Sequence, residues 1–155
     1  MSTLVVLDTG VLGMVVHPNA SGERLQCKKW FESLLETGML VYVPEIVDYE
    51  LRRKLLHLQS TRAITRLDDL KTKIGYAPIT THAILKAAEL WATARKAGTP
   101  TADEKELDID VILAAQTALL SNPGDHAIIA TTNIGHLALF ADARQWKDIV
   151  YPMLF

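Results

Sequence analysis

Leu4-Val5-Val6-Leu7-Asp8-Thr9-Gly10 stands near the start of the sequence, and Ala127-Ile128-Ile129-Ala130-Thr131-Thr132-Asn133 stands near its other end. Both are short apolar runs rich in strand-forming residues and closed by polar or turn residues, the pattern of a buried strand. Each run ends on a side chain that offers oxygen donors, Asp8 in the first and Asn133 in the second. Open parallel sheets bind their ligands outside the carboxyl ends of their strands. These two residues are therefore the first places to look for chemistry.

Between the two runs, strands alternate with helices. The spacing predicts a short helix over 11–16, a loop over 17–22, and a helix over 23–37 that Gly38 stops. A second strand over 39–43 ends at Pro44. Val47, Leu51, Leu55 and Leu58 mark an amphipathic helix over 45–58, and a further helix follows over 60–73. Residues 75–79 read as a break with a short strand, 81–97 as a helix and 98–106 as a polar loop. Residues 108–121 form a helix that is apolar nearly all round, hence central and buried. After the strand at 127–131 comes a short segment around 137–140, then an edge strand in 146–151. Strands alternating with helices imply a mostly parallel sheet with helices on both faces, in a single domain over 1–155.

The composition supports that reading. The chain has 155 residues, 49% of them hydrophobic and 22% charged, which supplies a full core and argues against global disorder. The net charge of −2 excludes a protein that is basic all over. Nucleic-acid binding would then need a local cationic patch or a bound cation. One cysteine, Cys27, allows no intrachain disulfide, which fits a reducing, cytoplasmic setting. No run approaches the ~20 apolar residues of a membrane span. Leu4–Leu7 is too short for a signal peptide and is followed at once by Asp8.

Four residues carry candidate chemistry, each with a structural alternative. Asp8 fits an N-cap as well as a ligand. Glu50 fits an ion pair with Lys54 at i+4 as well as a site role. Asp110 lies at the start of the most apolar helix, where an unpaired carboxylate is costly and needs a helix N-terminus, a cation, or both. Asp108 is the better N-cap candidate, but either aspartate could be the ligand. Asn133 fits a turn as well as a cation site. If the first and last strands are neighbours, Asp8, Asp110 and Asn133 converge. Clustered carboxylates repel one another unless a cation lies between them. Hard divalent cations such as Mg²⁺ favour oxygen ligands of this kind. Arg52, Arg53 and Lys54 follow Glu50 directly, either as a solvated face or as phosphate-binding groups. His17, His57, His82, His126 and His136 show no metal-ligand spacing and read as surface or packing residues.

Four segments together resemble the PIN-domain nucleases, the family that includes the VapC toxins of bacterial toxin–antitoxin pairs. They are Val5-Val6-Leu7-Asp8-Thr9-Gly10-Val11, Pro44-Glu45-Ile46-Val47-Asp48-Tyr49-Glu50-Leu51-Arg52-Arg53, Asp110-Val111-Ile112-Leu113-Ala114-Ala115-Gln116 and Ala130-Thr131-Thr132-Asn133-Ile134-Gly135-His136-Leu137. They occur in the family's order and span nearly the whole chain. The resemblance implies a PIN-like three-layer α/β/α sandwich, a Mg²⁺ or Mn²⁺ site, and hydrolysis of RNA phosphodiester bonds. It makes Asp8, Glu50 and Asp110 an acidic triad and gives Asn133 the fourth position. Thr9 and Thr132 would support the pocket. It further implies an antitoxin protein as partner, and a homodimer for which the apolar helices at 45–74, with Tyr49, could supply the interface. One departure stands out: the fourth position is often acidic in the family and is Asn133 here.

Other classes stay open at this level. A PIN-fold binding module with weak or no catalysis would be consistent with Asn133, and a stand-alone RNA-processing nuclease with the triad. A phospho-receiver domain would pair two acids at the first strand end, where Asp8 stands alone. A haloacid-dehalogenase-like phosphatase would want a second aspartate where Gly10 stands.

Overall fold

A computed structural model describes residues 2–98 and 104–150. Its centre is a five-stranded sheet of β1 (Thr3–Leu7), β2 (Leu40–Pro44), β3 (Gly75–Ala77), β4 (His126–Thr131) and β5 (Ala143–Gln145). The strand order is β3-β2-β1-β4-β5, and every neighbouring pair is parallel. The helices are α1 (Thr9–Val16), α2 (Gly22–Glu36), α3 (Glu45–His57), α4 (Thr61–Lys71), α5 (Thr81–Lys96) and α6 (Glu104–Leu120).

Successive side chains of a strand point to opposite faces of the sheet. Leu4, Val5, Val6 and Leu7 are all buried, so helices must cover both faces and the architecture has three layers. The main core gathers β1, β2 and β4 with apolar residues of α1 to α4. A smaller cluster joins α5 to α6 through Ala87, Leu107, Val111 and Ala115. At the sheet edge, a Cβ on Gly75 would fall 2.4 Å from the Tyr42 ring, so the β3 backbone can pair with β2 there only as glycine. Among the described residues, no helix is long and apolar enough to cross a membrane.

The topology also sets where a site can form. From β1 the chain builds β2 and β3 on one side, and β4 and β5 on the other. The order reverses between β1 and β4, and a crevice opens at the carboxyl ends of strands where such a reversal occurs. Leu7 pairs with Ala130, so Asp8, just past the end of β1, lies beside Thr131, the last residue of β4.

Most boundaries fall within a residue or two of the sequence reading, and three differences have a physical reason. Helix α1 starts at Thr9 rather than 11, because the Asp8 carboxylate accepts the Thr9 N–H at 2.7 Å and caps it. The polar loop expected over 98–106 gives way to helix from Glu104, while 99–103 lie outside the described residues. Leu107 and Val111, one turn apart, pack with Ala87 of α5 and extend α6 back beyond its charged residues. The edge strand expected in 146–151 is instead β5 at Ala143–Gln145, and Tyr151 lies outside the described residues. Trp146–Asp148 forms a 3₁₀ turn that buries Trp146 against Trp30, ring centres 5.6 Å apart.

Candidate functional site

Asp8 ends β1 and begins α1. One carboxylate oxygen takes the Thr9 N–H, and the other accepts the Thr131 hydroxyl at 2.7 Å. The same Thr131 oxygen accepts the Asn133 N–H at 3.0 Å, so one buried threonine ties Asp8 to the turn that carries Asn133. Thr131 is therefore a further supporting residue, one the sequence reading did not name in that role. Thr132, expected as a supporting polar residue of the pocket, lines the cavity and crowds Gly10, where a Cβ would come within 2.8 Å of its hydroxyl. Period-two alternation could have separated them: Thr131 belongs to β4, and Thr132 is exposed just beyond it.

Glu50 comes from α3. Its carboxylate accepts the Thr9 hydroxyl at 2.5 Å, and Arg53 lies 3.8 Å away. The i+4 pairing with Lys54 is thus replaced by an i+3 approach from Arg53. Thr9 bridges the first two acids, bonding Asp8 through its backbone and Glu50 through its side chain.

Asp110 does not sit at a helix start. It lies beyond the first turn of α6, so the helix N-terminus gives it little relief. Burial, reinforced by the charges of Asp8, Glu50 and Glu106, pushes its carboxyl up to about 7. Burial also raises Asp8, with Glu50 adding to the effect, while hydrogen bonds from Thr131 and Thr9 oppose it. Asp108, expected as an N-cap or alternative ligand, is neither: it is an exposed residue inside α6 and does not line the cavity. Glu106 was missed. It faces the same cavity one turn before Asp110, and its i−4 spacing was visible once 104–107 were read as helix.

The cavity holding these groups has a volume of about 890 Å³. Asp8, Glu50, Glu106, Asp110 and Asn133 line it, with Met14, Leu51, Leu55 and Ile109 as apolar wall. Arg24, Arg53, Lys54, His17 and His136 supply basic groups along it. Arg24 was not singled out from sequence, and His17 and His136, read there as surface or packing residues, are partly exposed and border the cavity. Arg52 is absent from the lining. Its guanidinium is turned to Asp48 at 2.9 Å and Asp68 at 2.7 Å, so it stabilises α3 and α4 rather than offering charge to a ligand.

That turn is part of a second polar cluster behind the site. Asp48 is buried and also accepts from Lys71 at 2.6 Å. Burial alone would raise its carboxyl, but the hydrogen bonds from Lys71 and Arg52 hold it below the ordinary value. Glu45 accepts the Ile79 N–H at 2.8 Å and the Tyr76 hydroxyl at 3.3 Å.

Several solved structures share this arrangement of elements. A VapBC2 from Rickettsia felis bound to a DNA fragment from their promoter superposes with a TM-score of 0.66 at 14% identity, covering 92% of this chain and 98% of that one. FitAcB from Neisseria gonorrhoeae gives a TM-score of 0.65 at 20% identity, over 94% of this chain and 99% of that one. A DNA-bound VapBC from Salmonella typhimurium gives 0.62 at 15% identity, over 94% and 99%. The chain has a PIN-like fold. No protein-family model and no curated protein sequence matches it. At these identities the likeness concerns the fold, and the chemistry of the PIN-like site rests on its own residues.

Those residues suit a hard cation of modest ligand demand. Among the described residues, no three acidic, imidazole or thiol groups make a ready-formed metal cage. Mg²⁺ in particular is held by one or two carboxylates and keeps several waters. After burial, the charge of Asp8 is the next influence holding the Asp110 carboxyl up, and a cation between the two would relieve that repulsion.

Proposed function

We propose that this protein is a Mg²⁺- or Mn²⁺-dependent endoribonuclease and the toxin of a toxin–antitoxin pair. One observation carries the catalytic part: acids from three separate elements, Asp8, Glu50 and Asp110, meet in one cavity at the sheet's reversal point, flanked by Arg24, Arg53 and Lys54. Asp8 and Asp110 would hold the cation, with Asn133 and Glu50 reaching it directly or through water. A divalent cation bound there supplies Lewis acidity and neutralises charge on a phosphoryl group. Glu50, steadied by the Thr9 hydroxyl, would accept a proton from an attacking water at its carboxylate. The basic side chains flanking the acids would hold the phosphates on either side of the scissile bond.

The similar structures are VapBC and FitAcB assemblies, two of them bound to DNA. Those assemblies support a small antitoxin as the partner of this chain. A homodimer belongs to the same reading. Tyr49, Leu56 and Leu58 are exposed on and just after α3, and light scattering of the purified chain would measure its mass directly.

The test is RNA cleavage by the wild type and Asp8→Asn, each with Mg²⁺, Mn²⁺ or EDTA. Metal-dependent cutting that the substitution abolishes is the expected result. Equal cutting by both proteins would remove Asp8 from the mechanism. No cutting of any RNA by the wild type would favour a binding module on the same fold.

A further inference from the structure

Glu50 and Asp110 ride on different helices, α3 and α6, so something must fix one helix against the other. Gln116 of α6 is buried, 2% exposed, and both ends of its amide are used. The carbonyl oxygen accepts the Ile46 N–H at 3.2 Å, and the NH₂ donates to Ala77 O at 2.7 Å. Ile46 lies in the first turn of α3, where backbone N–H groups have no partner within the helix. Glu50 follows one turn later on the same face. Ala77 ends β3. One side chain of α6 therefore fastens the start of α3 and the end of the edge strand together.

We infer that Gln116 is a positioning residue that sets the separation of Glu50 from Asp110. This rests on the metal-dependent reading above. The remaining contacts explain why a single amide has leverage. Glu45 and Asp48 tie the other side of the first turn of α3 to Ile79, Tyr76 and Lys71. Asp48 and Glu50 are two residues apart and so point to nearly opposite sides of the helix. These ties hold α3 to β3 and α4, and none of them reaches α6. Beside the apolar packing of α3 on α6 through Ile46, Val47 and Leu113, Gln116 supplies the hydrogen-bonded link, and its loss lets α3 roll relative to Asp110.

Three variants test this. Gln116→Met keeps the shape and loses both bonds. Gln116→Asn keeps the amide but is one methylene too short for both partners. Gln116→Glu is the rescue: burial favours its neutral form, which donates to Ala77 O and accepts from Ile46. Spin labels at Tyr49→Cys on α3 and Asp108→Cys on α6, both exposed positions, report the helix separation without any metal. Cys27 stays silent, since it is buried and its thiol is pushed up to about 12. The distance distribution should broaden in Gln116→Met and Gln116→Asn and return in Gln116→Glu. Mn²⁺ affinity and kcat should fall at least tenfold in the first two, with KM for RNA within twofold. Trp30→Phe, which loses the bond to Ile149 O far from this link, should lower Tm and leave Mn²⁺ affinity intact. Wild-type distances and Mn²⁺ affinity in Gln116→Met or Gln116→Asn would overturn the inference. A wild type that neither binds Mn²⁺ nor cuts RNA would overturn the nuclease reading instead, while the label distances still judge the link.

Discussion

Asp110→Asn should make the metal-free protein more stable at pH 8 and insensitive to added Mn²⁺. In the folded chain the Asp110 carboxyl rises from 3.8 to about 7, through burial first and then the charges of Asp8, Glu50 and Glu106. Its folded value is raised, so between about pH 4 and pH 7 the native state holds a proton that the unfolded state has released. Stability therefore falls as pH climbs through that window, and the whole deficit is present above pH 7. A shift of about three units at ~1.36 kcal/mol each sets a ceiling of about 4 kcal/mol. Partial access to solvent screens the interaction, and halving the figure leaves about 2 kcal/mol. For a chain of this size that is about 4–8 °C in Tm.

The assay is urea unfolding of wild type and Asp110→Asn at pH 4, 6 and 8 in EDTA, repeated with Mn²⁺. The two proteins should match near pH 4, diverge by pH 6 and differ by about 2 kcal/mol at pH 8, the variant being the more stable. Mn²⁺ at about a hundred times its Kd should add about 2.7 kcal/mol to the wild type and almost nothing to the variant. Equal stability at pH 8, or equal stabilisation by Mn²⁺, would refute the picture of repelling carboxylates that a cation reconciles.

Other perturbations separate the site from its supports. Thr131→Val removes the hydroxyl shared by Asp8 and Asn133; it should cost about 1–3 kcal/mol in unfolding experiments and lower kcat more than it raises KM. Asp48→Ala strips a buried acceptor from Lys71 and Arg52 and should cost about 3–5 kcal/mol by chemical denaturation. Because the folded value of Asp48 is depressed, its contribution is complete above its ordinary value of 3.8 and fades as pH falls below that, which acid unfolding would register. Arg53→Ala with Lys54→Ala should flatten the salt dependence of RNA binding by a slope of about 1–2, whereas Arg52→Ala should lower Tm and leave that slope alone.

Much of this protein is legible in one dimension. Apolar runs such as Leu4–Leu7 report strands buried on both faces, and their alternation with helices implies a parallel sheet. The acids at Asp8, Glu50 and Asp110 stand out as oxygen donors beside apolar elements. Local sequence says much less about where charged side chains turn. Arg52, Arg53 and Lys54 look equivalent in a row, yet Arg52 turns to Asp48 and Asp68 while its neighbours line the cavity. Likewise Thr131 and Thr132 are adjacent, and strand alternation gives only the first to Asp8. Glu106 and the extension of α6 were hidden because the polar stretch before Leu107 shows no apolar periodicity, and Leu107 finds its apolar partner on α5, distant in sequence. Sequence determines which residues can bear charge and which segments must be buried, since both follow from side-chain chemistry and spacing. Only the tertiary structure decides which charges face one another, because that depends on strand order and helix rotation set by distant contacts such as those of Gln116.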